Sequence, residues 1–134
     1  MLKIINYQNA DKHHSGNIYV LEGRNKIKFK IKRIYFINNI KNKHTRPGHA
    51  HKKLQQIISC IAGSVKIKIF DGKNHKIISL KNPKKAIYLK KGLWREITFM
   101  KKGSILLVIC SDIYKANDYI RSLKKYIIWK KSNT

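Results

Sequence analysis

The sequence predicts an all-β fold, an antiparallel sandwich or barrel of jelly-roll type closed by one short C-terminal helix. Short runs rich in isoleucine, valine and aromatic residues recur at a spacing of roughly ten residues, with turn residues between them. Inside several runs apolar and charged residues alternate, the period-two signature of a strand with one buried face. Only one stretch, near the end of the chain, has helical spacing.

The elements follow in order. Residues 27–37 (IKFKIKRIYFI) alternate almost throughout and read as one strand. A loop over 38–48 leads to a short strand holding His49 and His51. Residues 56–62 (QIISCIA) run to a turn at Gly63-Ser64, and 65–70 (VKIKIF) return with clean alternation. Asp71-Gly72, a dipeptide favoured in tight hairpins, turns the chain again. Further strands are expected at 75–80, 86–89, 94–99 and 104–110, punctuated by Pro83, Lys91-Gly92 and Lys102-Gly103. Residues 118–129 read as a helix, with Tyr119, Leu123, Tyr126 and Ile127 near helical spacing behind an Asp118 cap. We expect one domain over residues 1–134, with 131–134 a frayed tail.

Composition narrows the function. A hydrophobic content of 43% excludes a mainly disordered chain. The apolar run at the start is too short for a secretory signal, and no stretch approaches the ~20 residues of a membrane-spanning helix. Cys60 and Cys110 sit in apolar runs and read as buried free thiols, so we expect a cytoplasmic protein. The formal charge of +25 suggests a nucleic-acid binder at first sight. Lysine, isoleucine and asparagine are together in excess, however, as an A/T-rich genome would produce. The lysines also alternate along strands, where they mark solvated faces. Specific nucleic-acid binding is therefore not expected, although the charge favours anionic substrates.

The richest segment is Arg46-Pro47-Gly48-His49-Ala50-His51-Lys52. Two histidines one residue apart on a strand project from the same face, which aims two groups that titrate near neutrality into one cavity. The same pattern is half of a metal site, and it also occurs as polar decoration of a solvated face. The neighbours bear on the choice. Gln56 follows, then Gly63, and the region 83–96 supplies Trp94 and Arg95 but no histidine.

This arrangement resembles the first sequence motif of the cupins, in which His-x-His is followed by a glutamate and later a glycine. Here Gln56 stands at the glutamate position. Two imidazoles and a neutral amide make a poor transition-metal site, so no metal is expected. The resemblance sharpens with Lys32-Arg33-Ile34-Tyr35-Phe36-Ile37, His49-Ala50-His51-Lys52, Trp94-x-Glu96, Ser111-Asp112 and Asp118-Tyr119-Ile120-Arg121. In order and spacing these are similar to the sugar 3,4-ketoisomerases of the cupin superfamily, over nearly the whole chain.

The resemblance implies a cupin-type jelly roll acting on a dTDP-linked 4-keto-6-deoxyglucose. The carbonyl moves from sugar carbon 4 to carbon 3, ahead of amination to a 3-amino-3,6-dideoxy sugar for surface polysaccharide. It also implies a homodimer with exchanged N-terminal strands, and no cofactor. The residues agree with such chemistry. A ketone acidifies the neighbouring C–H, and a neutral base can remove that proton to form an enediolate. His49 and His51 can divide the labour, and we expect His51 to be the carbon base and His49 the shuttle between oxygens. Tyr35 can donate to the developing enolate oxygen. Arg33, Arg46 and Arg121, three of five arginines in a lysine-rich chain, suit a diphosphate through their bidentate forks. Lys52 and Trp94 complete the expected substrate contacts. Related readings are a nucleotide-sugar epimerase and a non-catalytic module that binds nucleotide sugars or polyanions.

The chain departs from the family pattern in three places. His13-His14-Ser15-Gly16 replaces an N-terminal Asp-x-Arg-Gly signature, Pro47 follows the loop arginine, and Arg95 follows the strand tryptophan where many relatives carry histidine.

Overall fold

A computed structural model describes residues 2–13, 15–23, 25–81 and 83–134. Two antiparallel sheets face each other. The first runs in the order β1 (Leu2–Asn6), β10 (Lys85–Leu89), β7 (Gln56–Ala62), β12 (Ile105–Cys110) and β4 (Arg33–Ile37). The second runs β13 (Tyr119–Ile120), β6 (His49–His51), β11 (Trp94–Phe99), β8 (Val65–Phe70) and β9 (His75–Leu80), with β5 (His44–Thr45) on the far half of β11. This is the jelly-roll sandwich that the strand spacing predicts.

The alternation read from the sequence has a direct physical outcome in β8. Val65, Ile67 and Ile69 are fully buried between the sheets, whereas Lys66 and Lys68 are exposed. Facing them are Ile58 and Cys60 of β7, Leu106 and Val108 of β12 and Ile87 of β10, which close the core. Both cysteines are buried and free. Asp71 anchors the β8–β9 hairpin, where its Oδ1 accepts from the backbone N–H groups of Lys73 (2.8 Å) and Asn74 (2.7 Å).

Three expectations need correction. The strand predicted over 27–37 is a strand only from Arg33. Residues 27–32 alternate because Ile27 and Phe29 cover the outer face of the first sheet, against Ile5, Ile57 and Ala86, not because a neighbouring strand pairs with them. The N-terminal twenty residues hold three strands: β1, and a hairpin of β2 (Gln8–His13) with β3 (Gly16–Val20) that forms a sheet of its own.

The other two corrections concern the C-terminus. The helix α1 spans Leu123–Ser132 and is capped by Ser122, whose side chain accepts from Lys125 N–H. Asp118 ends a one-turn 3₁₀ segment (Ala116–Asp118), and its carboxylate accepts instead from the Lys53 and Leu54 N–H groups. That leaves Tyr119 and Ile120 free to pair with β6. The tail expected from residue 131 is helical as far as Ser132. Helix α1 packs outside the second sheet, where the buried Tyr126 hydroxyl reaches the carbonyls of Gly92 (2.9 Å) and Phe70 (3.1 Å). Among the described residues no helix is long and apolar enough to cross a membrane.

Candidate active site

At one end of the sandwich the inward positions turn polar on several strands at once. On β4 the inward side chains are Arg33, Tyr35 and Ile37, and on β11 they are Arg95, Ile97 and Phe99. Register aligns the chemistry: Arg95 pairs with His49 across β11–β6, and His51 pairs with Tyr119 across β6–β13. These groups surround a cavity of about 410 Å³, the size of a small-ligand site. His49, Tyr35 and Tyr119 line it together with the guanidinium groups of Arg33, Arg46, Arg95 and Arg121.

A hydrogen-bond chain sets the floor. Arg95 is 1% exposed. Its Nη1 donates to Gln56 Oε1 at 2.6 Å and its Nη2 to the Leu93 carbonyl at 3.2 Å. With its oxygen so held, the buried Gln56 amide directs Nε2 towards the Tyr35 hydroxyl at 3.4 Å. Tyr35 accepts there, which leaves its own proton free for the cavity. Gln56 is thus committed to a guanidinium, and that fixed positive charge opposes a cation at the cupin metal position. Among the described residues no three His, Cys, Asp or Glu side chains converge as a metal-binding group.

Arg33 lies over the Tyr35 ring (5.5 Å) and Arg121 over the Tyr119 ring (4.3 Å), stacking that orients the guanidiniums without neutralising them. Burial and this positive field act on the imidazoles together. His49 is lowered to about 3, by burial first and then by Arg95, Arg121 and Arg46, against a raising hydrogen bond to the Pro47 carbonyl. His51 is lowered to about 2, by burial and then Arg95, His49, Arg33 and Arg121. Arg95 itself is lowered only to about 10 and stays charged at neutral pH. Tyr35 is raised by burial and holds its proton. Nε of Arg33, Nε of Arg95 and both ring nitrogens of His51 are buried without a hydrogen-bond partner. Unsatisfied buried polar atoms are uncommon in folded proteins, and their concentration here marks a site of function.

Of the residues singled out from sequence, His49, Tyr35, Arg33, Arg46 and Arg121 line the cavity. His51 lies beside it, 0% exposed, with its ring edge-on to His49 at 4.9 Å between centroids. Of the two imidazoles, His49 is the one open to the cavity. Two expected contacts do not reach it. Trp94 alternates to the outer face of β11 and packs with Ala50, Ile120 and Tyr126 beneath α1. Gly48 lies against that indole, where a Cβ would come within 2.6 Å of Trp94 Cζ2, so the tryptophan supports the strand that carries His49. Lys52 is exposed, because β6 has ended and the chain turns outward. Of the N-terminal departure, His14 lies outside the described residues.

Two lining residues escape the sequence reading. Arg95 shares a parity with Ile97 and Phe99, and that signal places it inward. Tyr119 is obscured by the expectation of a helix from Asp118.

Comparison with known proteins follows this geometry. The family described as FdtA, WxcM-like, C-terminal matches residues 1–131. The chain is 34% identical over 128 residues to the TDP-4-oxo-6-deoxy-alpha-D-glucose-3,4-oxoisomerase of Aneurinibacillus thermoaerophilus, covering 93% of this chain and 91% of that protein. Its fold is similar to that of QdtA, a sugar 3,4-ketoisomerase from Thermoanaerobacterium thermosaccharolyticum in complex with TDP. The TM-score is 0.92 and the identity 36%, covering 98% of this chain and 96% of the other. A histidine-to-asparagine variant of the same enzyme, in complex with TDP-4-keto-6-deoxyglucose, gives a TM-score of 0.91 and 35% identity, covering 98% and 94%. Likeness to a 3'-monoepimerase from Streptomyces bikiniensis, at 14% identity, shows the fold alone. On its sequence, its fold and the residues gathered at its cavity, the chain belongs to the sugar 3,4-ketoisomerase family of cupin-like proteins.

Proposed function

We propose that the protein performs its family's reaction, moving the keto group of dTDP-4-keto-6-deoxyglucose from carbon 4 to carbon 3, with His49 as the base at carbon. The observation that carries this reading is one cavity lined by an imidazole, a protonated phenol and four guanidiniums, with a second imidazole beside the first.

Each group has a part. His49 donates one ring N–H to the Pro47 carbonyl, so the other nitrogen is bare and can take the proton from carbon 3. The electrons move to the carbonyl oxygen at carbon 4, and the resulting enediolate is stabilised by the Tyr35 O–H and the Arg95 charge. Transfer of the carbon 3 hydroxyl proton to the carbon 4 oxygen, together with return of the abstracted proton to carbon 4, completes an isomerisation that needs no redox partner. His51 relays the proton between the two oxygens, accepting it from one and giving it to the other. Arg46 and Arg121, at the wall, hold the diphosphate, with Arg33 beside them.

Burial first, and then Arg95, Arg121 and Arg46, make the base weak in the free protein. A seated diphosphate offsets the charge of Arg46 and Arg121, so that part of the lowering is relieved when the substrate is in place. Substrate charge thereby switches on the group that acts on the substrate.

The product ketone at carbon 3 suits transamination, consistent with a place in cytoplasmic 3-amino sugar synthesis. A homodimer fits the surface. Ile34 and Phe36 are 58% and 63% exposed on the outer face of β4, and the β2–β3 hairpin stands apart from both sheets, placed to reach a second copy.

The test is incubation with dTDP-4-keto-6-deoxyglucose in deuterium oxide, followed by NMR. The expected result is loss of the carbon 3 proton signal and deuterium at carbon 4 of a 3-keto product. A substrate spectrum unchanged after prolonged incubation overturns the assignment.

A further inference from the structure

The chain has six acidic residues against 31 lysines and arginines, and one of the six, Asp118, stands against His51. His51 Nδ1 lies 3.6 Å from Asp118 Oδ2, slightly beyond hydrogen-bond range. The carboxylate is fixed by the turn that follows His51. Lys53 N–H donates to Oδ1 at 2.8 Å, Leu54 N–H donates to Oδ2 at 3.1 Å, and Lys52 N–H donates to the Asp118 carbonyl at 2.9 Å. Carboxylate and imidazole are thus tied to the same short stretch of backbone, 3.6 Å apart.

The other groups facing His51 carry no carboxylate. Arg33 from β4, Arg95 from β11 and Arg121 beyond β13 are donors only. His49 on the same strand and Tyr119 on β13 present rings edge-on, at 4.9 and 4.3 Å between centroids. A neutral imidazole has one N–H, and leaving it unpaired in a buried site is costly. Among the described residues, the carboxylate that the structure brings to this N–H is that of Asp118.

We infer that Asp118 is a positioning residue for His51: its Oδ2 accepts the Nδ1 proton and fixes the tautomer in which Nε2 is bare. When Nε2 takes a proton in transit, the carboxylate also offsets the charge gained beside three guanidiniums. The inference rests on the reading that the imidazole pair handles protons, and its test separates the two.

The tautomer is read by long-range proton–nitrogen correlation on ¹⁵N-labelled full-length protein, with the His51 signals identified by their loss in His51→Asn. The expected wild-type spectrum has a protonated Nδ1 and an unprotonated Nε2. In Asp118→Asn, which keeps an oxygen for the turn, that tautomer is lost, and kcat falls by about tenfold or more with KM within about twofold. A wild-type Nε2–H tautomer overturns the inference, as does a folded Asp118→Asn that keeps the wild-type tautomer. Should Asp118→Asn fail to fold, the wild-type tautomer decides alone. Wild-type turnover in His51→Asn, with the tautomer still governed by Asp118, would overturn the catalytic reading of His51 and uphold the contact.

Discussion

The two ends of the sandwich interior are built by the same strands and differ in every inward position. Along β11 the inward residues pass from Arg95 through Ile97 to Phe99, along β4 from Arg33 through Tyr35 to Ile37, and along β7 from Gln56 through Ile58 to Cys60. One end is close-packed hydrocarbon. The other holds guanidiniums, imidazoles and a phenol, with four buried polar atoms lacking partners. A strand in this fold is therefore half structural and half chemical, and the apolar end supplies the stability that the charged end forgoes. Substitutions at the two ends should fail in different ways.

The largest effect is expected at the charged end. His49→Asn should keep the fold and lose turnover by about 10²–10⁴-fold, the usual contribution of a general base. Tyr35→Phe should lose less, because it removes one hydroxyl and leaves the ring packing. The check is steady-state turnover on protein whose thermal unfolding matches wild type. If His49→Asn turned over normally, the polar end would be lining and not machinery.

At the apolar end Phe99→Ala should do the reverse. Phe99 is fully buried, and its truncation should destabilise the fold by about 3–5 kcal/mol while the folded fraction turns over normally. Denaturant unfolding paired with turnover below the transition measures both. A loss of kcat in the folded fraction would show that the two ends are coupled.

That division was partly legible in the sequence. His49 and His51 could be placed on one face because strand side chains alternate, whatever the strand pairs with. Arg33, Arg46 and Arg121 stand out as three of five arginines in a lysine-rich chain. The same parity turns Arg95 inward and Trp94 outward, against the substrate contact expected of the indole. The strand over 27–32 misled for the opposite reason. Its alternation is real, but a segment lying on a sheet face needs the same pattern as a strand within one. Helix against strand at Tyr119 could not be decided locally, because pairing with β6 is a contact of high sequence separation.

Acid should expose the charged end next. Both imidazoles are held below their ordinary value of about 6.5, His49 to about 3 and His51 to about 2, so the unfolded chain binds protons that the folded chain refuses. Stability is then complete above about pH 6.5 and is lost as pH falls towards those folded values. By pH 5 the loss should be about 2 kcal/mol per imidazole. Denaturant midpoints at pH 7 and 5 test this, and His49→Asn should remove about half of the difference. A midpoint independent of pH over this range would mean that the imidazoles are far better solvated than their burial indicates.

The smallest effect is expected where sequence reasoning placed a substrate contact. Trp94 packs with Ala50 and Tyr126 on the outer face of β11, while its neighbour Arg95 faces the cavity, so adjacent residues answer to opposite sides of one sheet. Trp94→Phe keeps an aromatic under α1 and beside Gly48, and it loses the indole N–H that donates to Glu96 Oε1 at 3.2 Å. That bond is partly exposed, and the smaller ring leaves a modest gap, so the fold should lose about 1–2 kcal/mol. KM for the nucleotide sugar should stay within about twofold, because the side chain packs on the outer face and does not line the cavity. The measurement is KM and the unfolding midpoint on the same preparation. A rise in KM of tenfold or more with an unchanged midpoint would return Trp94 to the substrate site and mean that β11 presents both faces to the ligand. The opposite pattern, a lower midpoint with KM unchanged, would fix the boundary between chemistry and support at a single peptide bond.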